Sequence, residues 1–198
     1  MTALQSYSRF TSTNPNLDFS FLYPSDWAVR EVQGKEYDEV FIRGPRNEED
    51  TYNLSIIVRV IPANSKLDTL VMNYVERNKH FSNFREISRA TGSLADTEAA
   101  EIEVGYTIPL PINSVNAKET LVIERIIFLE HGDRLYEIAY KGVARDYHRY
   151  LEAFRNVART FEFSEPDEQQ AYRSMVISTP SYAVRERPAD YNSGEHKS

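Results

Sequence analysis

One apolar hairpin, residues 119–141, constrains the fold of this chain more than any other stretch. Its first arm contains the most apolar part of the sequence, residues 121–129, and its second arm returns over residues 134–140. His131-Gly132-Asp133 joins the arms, and Gly132 takes a positive φ at little cost. Both arms carry apolar residues on both faces, which is typical of strands in the middle of a sheet covered on two sides. We therefore predict a sheet centred on this hairpin, with a helix on each face.

The rest of the chain is expected to supply outer strands and these two helices. Apolar residues at helical spacing predict helices over about residues 66–78 and 146–160. Gly and Pro mark connections at 44–50, 92–96 and 109–116. Alternating apolar residues predict strands over residues 17–23, 27–32, 37–43, 52–61, 84–91 and 97–108, with a short closing strand at 161–163.

Composition divides the chain into three regions. Residues 1–16 are expected to be flexible, residues 17–163 to form the domain, and residues 164–198 to be a polar, mostly disordered tail. Two short groups in the flanks have a composition that disorder alone does not explain, and we interpret them as candidate partner-binding residues. They are Tyr7, Arg9 and Phe10 in the first region, and Met175, Val176 and Ile177 in the third. The alternative is that 175–177 pair with an edge strand of their own domain.

Charge and residue content exclude several classes of protein. A net charge of −7 and a pI near 5.2 argue against binding to a nucleic-acid backbone. The absence of cysteine excludes disulfides, thiol catalysis and Cys-ligated zinc. No stretch approaches the roughly 20 apolar residues of a membrane span, so we expect none. Residues 1–16 resemble no secretory leader, which fits either a cytoplasmic protein or one whose targeting segment has been removed.

Acidic residues provide the candidates for a cation or catalytic site. Glu48, Glu49 and Asp50 would suit a hard cation such as calcium, although three consecutive acids do not converge as an EF-hand loop does, and a solvated loop is favoured. Glu101 and Glu103 share one face of a predicted strand, which suits either a paired-carboxylate site or an exposed sheet face. No metal ligand set is predicted.

Other functional residue types favour structural roles. Trp27 follows a turn and is expected in the core, because aromatic side chains contribute most when buried. His80, His131 and His148 are scattered and are expected at the surface. The sequence contains no phosphate-binding glycine loop, nucleophile elbow or zinc-protease motif, so we do not expect an enzyme.

Four stretches together resemble the PsbP family and its PsbP-like relatives, over roughly residues 10–163. These are Phe19–Trp27, with its Tyr-Pro-x-x-Trp turn; Leu54–Val75, a β-branched strand and Pro before a Leu-rich helix; Gly132–Tyr136, with the sequence Gly-Asp-Arg-Leu-Tyr; and an aromatic last helix that ends in Thr160-Phe161. The resemblance implies an α+β fold, an α/β/α sandwich with a mostly antiparallel central sheet. Photosynthetic members are extrinsic lumenal subunits or assembly factors of the photosystems, and PsbP itself supports calcium and chloride retention at the oxygen-evolving complex of photosystem II.

The resemblance leads to our functional hypothesis, a non-catalytic accessory protein that binds a protein partner. That partner would be a photosystem membrane complex in the thylakoid lumen, or a periplasmic equivalent, and calcium is the one cofactor implied. The first alternative is an enzyme, or a carrier of a small molecule or cation, with a pocket at the sheet edge near residues 109–116. The second is a cytosolic protein-interaction scaffold, because the fold also occurs in a small-GTPase-binding protein.

Overall fold

The computed structural model describes residues 6–35, 37–46, 53–62 and 66–164. The two helices lie within two residues of their predicted bounds, and no helix in these ranges is long and apolar enough to cross a membrane. The elements are β1 (Tyr7–Phe10), β2 (Phe19–Pro24), β3 (Ala28–Gln33), β4 (Asp38–Arg46), β5 (Asn53–Pro62), α1 (Leu67–Asn78), β6 (Ser82–Leu94), β7 (Thr97–Leu110), β8 (Lys118–His131), β9 (Arg134–Val143), α2 (Ala144–Arg159) and β10 (Glu162–Phe163).

Seven strands form one antiparallel sheet in the order β3-β4-β5-β9-β8-β7-β6. The predicted hairpin is β8–β9, and β9 is the middle strand of the seven. Ile127 lies opposite Ile138 across the hairpin, and both are buried. The predicted α+β class and the central position of the hairpin are confirmed.

A separate layer of α2 and a small sheet, β1-β2-β10, covers one face of the large sheet, here called the α2 face. Phe154 of α2 stacks on Tyr140 with ring centroids 5.5 Å apart. Phe154 is 1% exposed and Ile138 is 0% exposed. Phe19 of the small sheet contacts Tyr136 edge to face, at 6.2 Å. These contacts join the two layers into one aromatic core.

Helix α1 covers part of the opposite face, here called the α1 face. Val71 and Tyr74 are its buried residues, and the Tyr74 ring lies 6.2 Å from that of Phe128 on β8. The helix packs on β7 and β8. The chain is therefore an α/β/α sandwich in which each helix covers only part of its face of the sheet.

Trp27 lies in the core, as predicted. It is 5% exposed, and its ring meets that of Tyr150 of α2 edge to face at 6.1 Å. A Cβ atom on Gly44 would lie 2.9 Å from the Trp27 ring, so the indole needs glycine at that position of β4. This contact fixes the Tyr-Pro-x-x-Trp turn against the large sheet.

The predicted flexible segment 1–16 is wrong for residues 7–10, which form β1 and pair with β2 in register, Tyr7 opposite Pro24 and Phe10 opposite Phe21. Phe10 is 6% exposed and stacks on Phe21, with centroids 4.9 Å apart. The strand forms because burial of this ring outweighs the polar composition around it.

Three strands extend into predicted connections. β6 continues to Leu94, so the turn of 92–96 reduces to Ala95 and Asp96, which have φ values of 48° and 58°. These two residues match the positive φ values of a two-residue hairpin turn. β4 continues to Arg46, with a register shift after Arg43. β7 includes Pro109, opposite Glu119; β6 pairing ends at Thr107, and a strand without a second neighbour tolerates proline.

Candidate functional site

A groove runs along the α2 face between helix α2 and the last two strands of the sheet, because α2 packs on β8 and β9 and leaves β6 and β7 open. Its volume is about 350 Å³. The floor is largely apolar and includes Ala99, Ile127, Phe154 and Ala158. Residues 90–94 of β6 form one wall, and Arg155 and Arg159 of α2 form the other. We call this the α2–β6 groove.

The wall on β6 is built from small side chains. In an antiparallel sheet directly opposed residues share a face. Ala90 lies opposite Glu101, and Gly92 lies opposite Ala99, so both small residues face the groove. No heavy atom lies within 4 Å of the position of a Cβ on Gly92. The groove is therefore open on this side.

The outer edge of β6 is the edge of the whole sheet. Among the described residues β6 pairs only with β7, and residues 85–93 are all exposed. Register shifts interrupt the first half, between Ser82 and Arg85 and again between Glu86 and Ser88. From Ser88 to Leu94 the register is regular. Bulges and charged side chains protect sheet edges from pairing with other chains, and the stretch 90–94 has neither.

Charged groups at the end of the floor pair with one another. Arg125 Nε lies 2.9 Å from Glu103 Oε2 and 3.4 Å from Glu101 Oε1. The Tyr147 hydroxyl of α2 donates a hydrogen bond of 2.8 Å to Glu103. Burial, with this bond to Glu103, raises the pKa of Tyr147 above its usual value, so the phenol remains a donor.

Glu101 and Glu103 share a strand face, as predicted, but the exposed-face interpretation is wrong for Glu103, which is 9% exposed. Tyr147 covers it, and the two carboxylates hold one guanidinium between them. A general acid–base pair needs carboxylates that can reach a substrate. This cluster has the arrangement of a structural network.

The sequence profile of the PsbP family matches residues 5–163. The chain belongs to the PsbP family. No curated protein matches the sequence significantly. The resemblance noted in the four sequence stretches is thus confirmed over more of the domain than the stretches alone cover.

Solved structures share the fold of this PsbP-family chain. The Ran-binding protein Mog1p of Saccharomyces cerevisiae aligns with a TM-score of 0.54 and 12% identity, over 83% of this chain and 98% of Mog1p. LpqN of Mycobacterium tuberculosis, involved in cell envelope biogenesis, aligns with a TM-score of 0.53 and 11% identity, over 81% of this chain and 91% of LpqN. Cyanobacterial PsbP (CyanoP) from Synechocystis sp. PCC 6803 aligns with a TM-score of 0.49 and 16% identity, over 82% of this chain and 95% of CyanoP.

The first group of predicted partner-binding residues lies in β1 of this PsbP-family domain. Phe10 is buried among core aromatic rings and is not available to a partner. Arg9 donates to Ser20 Oγ at 2.9 Å and pairs with Glu162 at 3.2 Å. Tyr7 is 37% exposed. The second group, Met175, Val176 and Ile177, lies outside the described residues.

The other predicted sites are dispersed. Glu48, Glu49 and Asp50 lie outside the described residues, and the described ranges hold no group of three or more His, Cys, Asp or Glu residues placed for a metal ion. His80, His131 and His148 are exposed, as predicted, and His131 stacks on Phe163 at 3.9 Å. The groove and two other, more polar cavities, lined by described residues, do not include the loop 109–116 where a pocket was predicted.

On the α1 face, the half of the sheet away from α1 carries an ion network. Arg59 on β5 pairs with Glu39 at 3.0 Å and with Glu137 at 3.1 Å, and its guanidinium lies 4.5 Å from the Tyr37 ring centre. Burial raises the pKa of Glu137, although Arg59 opposes this effect. Neither this network nor the α2–β6 groove was predicted from the sequence, because both are formed by residues on strands that become neighbours only in the folded sheet.

Proposed function

We propose that this chain is a non-catalytic protein-binding module, which takes an extended segment of a protein partner along the free edge of β6. One observation carries the proposal: the regular, exposed edge Ser88–Leu94 borders an apolar groove. In this mode of recognition, backbone hydrogen bonds to a sheet edge supply affinity and pockets for alternate side chains supply specificity. Gly92 and Ala90 leave space for those side chains.

The charge arrangement of the groove supports binding over catalysis. Its one carboxylate, Glu101, and the buried Glu103 beside it are held by Arg125, and Glu103 also accepts from Tyr147. The polar groups at the rim are Arg155 and Arg159, which share Glu152 at 3.6 Å and 2.7 Å and are more than half exposed. Arginine is enriched at protein interfaces and rarely acts as a general base.

Family membership supports an accessory role in a larger assembly, and an extrinsic photosystem subunit or assembly factor is the form of this role that the PsbP name favours. The fold also accommodates protein binding elsewhere, since Mog1p is a Ran-binding protein. Both roles require a surface for a macromolecular partner. We place that surface at the α2–β6 groove.

A peptide-selection experiment tests this placement. Random peptides of about twelve residues are displayed on phage and selected against the full chain. Gly92→Lys is the blocking variant, because its Cβ meets no neighbour and a charge directed into an edge opposes strand pairing. Gln33→Lys, on the opposite edge strand β3, is the matched control.

We expect selected peptides to bind the wild-type chain and Gln33→Lys equally, and Gly92→Lys at least about tenfold more weakly. Peptides that bind all three proteins equally would place the binding surface elsewhere. Recovery of no binding peptide from either the wild-type chain or Val176→Asp, a variant that adds a charge to the C-terminal tail, would overturn the proposed function.

A further inference from the structure

The described chain ends beside the last residue of β8. Phe163 stacks on His131 at the end of β8, and the Ser164 amide donates to the Asp18 carbonyl at 2.8 Å. Thr97, the first residue of β7, donates from its hydroxyl to the Glu130 carbonyl at 2.9 Å, so this end of β8 is next to the β6–β7 turn. The tail thus leaves the domain at the same end of the sheet as Leu94.

The distance to the edge of β6 is short. Neighbouring strands lie about 4.8 Å apart, so the position beyond β6 is about 14 Å from β8. Residues 165–171 span about 23 Å when extended. The segment that follows, residues 172–179, therefore begins within reach of the edge. A chain that leaves this end and follows β6 runs from Leu94 toward Ser88, which is antiparallel to the strand.

The composition of the tail matches the surface it would meet. Glu165, Asp167 and Glu168 come first. Arg155 and Arg159, which also pair with Glu152, line the groove from the C-terminal part of α2, the helix that the tail follows in sequence. Opposite charges attract across such a surface, although solvent and salt weaken each exposed pair. Residues 172–179 then read Tyr-Arg-Ser-Met-Val-Ile-Ser-Thr, and Pro180 follows, which ends strand pairing.

We propose that residues 172–179 of this chain pair with the free edge of β6 along Ser88–Leu94, antiparallel to it, and occupy the surface that a partner segment must take. Alternate side chains place Met175 and Ile177 on one face of the added strand and Val176 on the other. Directed into the groove, the first two cover Ala90 and Gly92. A partner then binds by displacing the tail.

This inference rests on the proposed function, because residues 172–179 would compete with the partner for the same edge of β6. The cysteine-free sequence allows a direct test by cross-linking. Val176→Cys is combined with Thr91→Cys on β6, and a short bifunctional maleimide is added to the full chain. The matched control combines Val176→Cys with Arg30→Cys on β3, an exposed position on the same face as Thr91 at the opposite edge of the sheet. Residues 165–176 span about 40 Å when extended, so an undocked tail reaches both edges.

We expect the pair 91–176 to link within one chain at least about tenfold faster than the pair 30–176. Equal rates would overturn the proposal, and so would a product that links two chains, which would make a second copy the source of the strand. Near-ultraviolet circular dichroism checks that the variants fold.

A second measurement needs no introduced cysteine. Val176→Asp is compared with Ala189→Asp, which changes the charge equally outside the segment. Hydrogen exchange in residues 88–94 should accelerate about tenfold or more in Val176→Asp alone, because outward amides lose their partners. Unchanged exchange would also overturn the proposal. If peptides bind the edge of β6 but both tail tests fail, the proposed function stands and the tail proposal is overturned. If the tail docks but no peptide binds, the tail proposal stands and the proposed function is overturned.

Discussion

Tyr147 of α2 and Glu103 of β7 are joined by a hydrogen bond of 2.8 Å across 44 positions of sequence. The contact ties α2 to β7, the strand that supplies Ala99 and Glu101 to the lining of the α2–β6 groove. Tyr147 also accepts a bond at its carbonyl oxygen from the Tyr140 hydroxyl, at 2.7 Å. The width of the groove therefore depends on buried polar contacts as well as on apolar packing.

Tyr147→Phe should lower the free energy of unfolding by about 1–2 kcal/mol, because it leaves the buried Glu103 carboxylate without this donor. Tyr150→Phe is the control on the same helix, since Tyr150 contacts Trp27 through its ring, and its loss should be smaller. Urea denaturation measures both. Equal losses would show that the Tyr147 hydroxyl has no special role.

Phe154→Ala should lower the free energy of unfolding by about 3–5 kcal/mol, since it removes a fully buried ring from the core between α2 and β9. Met72→Ala, on the 56% exposed Met72 of α1, should change it by less than about 0.5 kcal/mol. Thermal or urea denaturation compares the two. A loss below about 1 kcal/mol for Phe154→Ala would contradict its placement.

Arg59→Ala should destabilise the protein more at pH 7 than at pH 4. Burial raises the pKa of Glu137 in the folded chain, so stability falls as pH rises above the ordinary carboxyl value of about 4.3, and Arg59 offsets part of this fall. At pH 4 the carboxyl is largely protonated in both states, and the missing guanidinium matters less.

At pH 7 the expected loss for Arg59→Ala is about 1–3 kcal/mol, below that of a fully buried pair because the arginine side chain is 26% exposed. Arg43→Ala, at an exposed position of neighbouring β4, is the control. Denaturation at both pH values provides the comparison. An Arg59→Ala loss that is independent of pH would contradict the role assigned to Glu137.

Calorimetric titration with calcium, zinc and manganese should show only weak, salt-sensitive binding. Glu48, Glu49 and Asp50 are consecutive, and consecutive acids do not supply the six to eight converging oxygens that calcium takes. Repeating the titration with all three replaced by their amides isolates any contribution from them. A stoichiometric, submicromolar site would contradict this prediction.

Local patterns predicted the parts of the fold that rest on periodicity. The β8–β9 hairpin has apolar residues on both faces and a Gly132 turn, and both helices show apolar stripes, so each was recognisable without its neighbours. β1 was missed because its four residues are mostly polar, and the strand is held by pairing with β2 and by burial of Phe10 on Phe21. A pattern within one segment does not contain that contact.

The groove was not predictable for a similar reason. Residues 88–93 of β6 are small or polar and carry no signal of a site. They border a groove because β6 is the last strand of the sheet and α2 does not cover it. Gly92 was predicted to belong to a turn, whereas the hairpin turn is formed by Ala95 and Asp96 at positive φ.

Hydrogen exchange of the full chain, with and without a selected peptide, tests most directly whether β6 is the binding edge. The proposed function predicts that the peptide slows exchange within Ser88–Leu94 beyond any protection by the tail, and leaves residues 28–33 of β3 unchanged. Slowing at another surface, with Ser88–Leu94 unaffected by a saturating peptide, would contradict it.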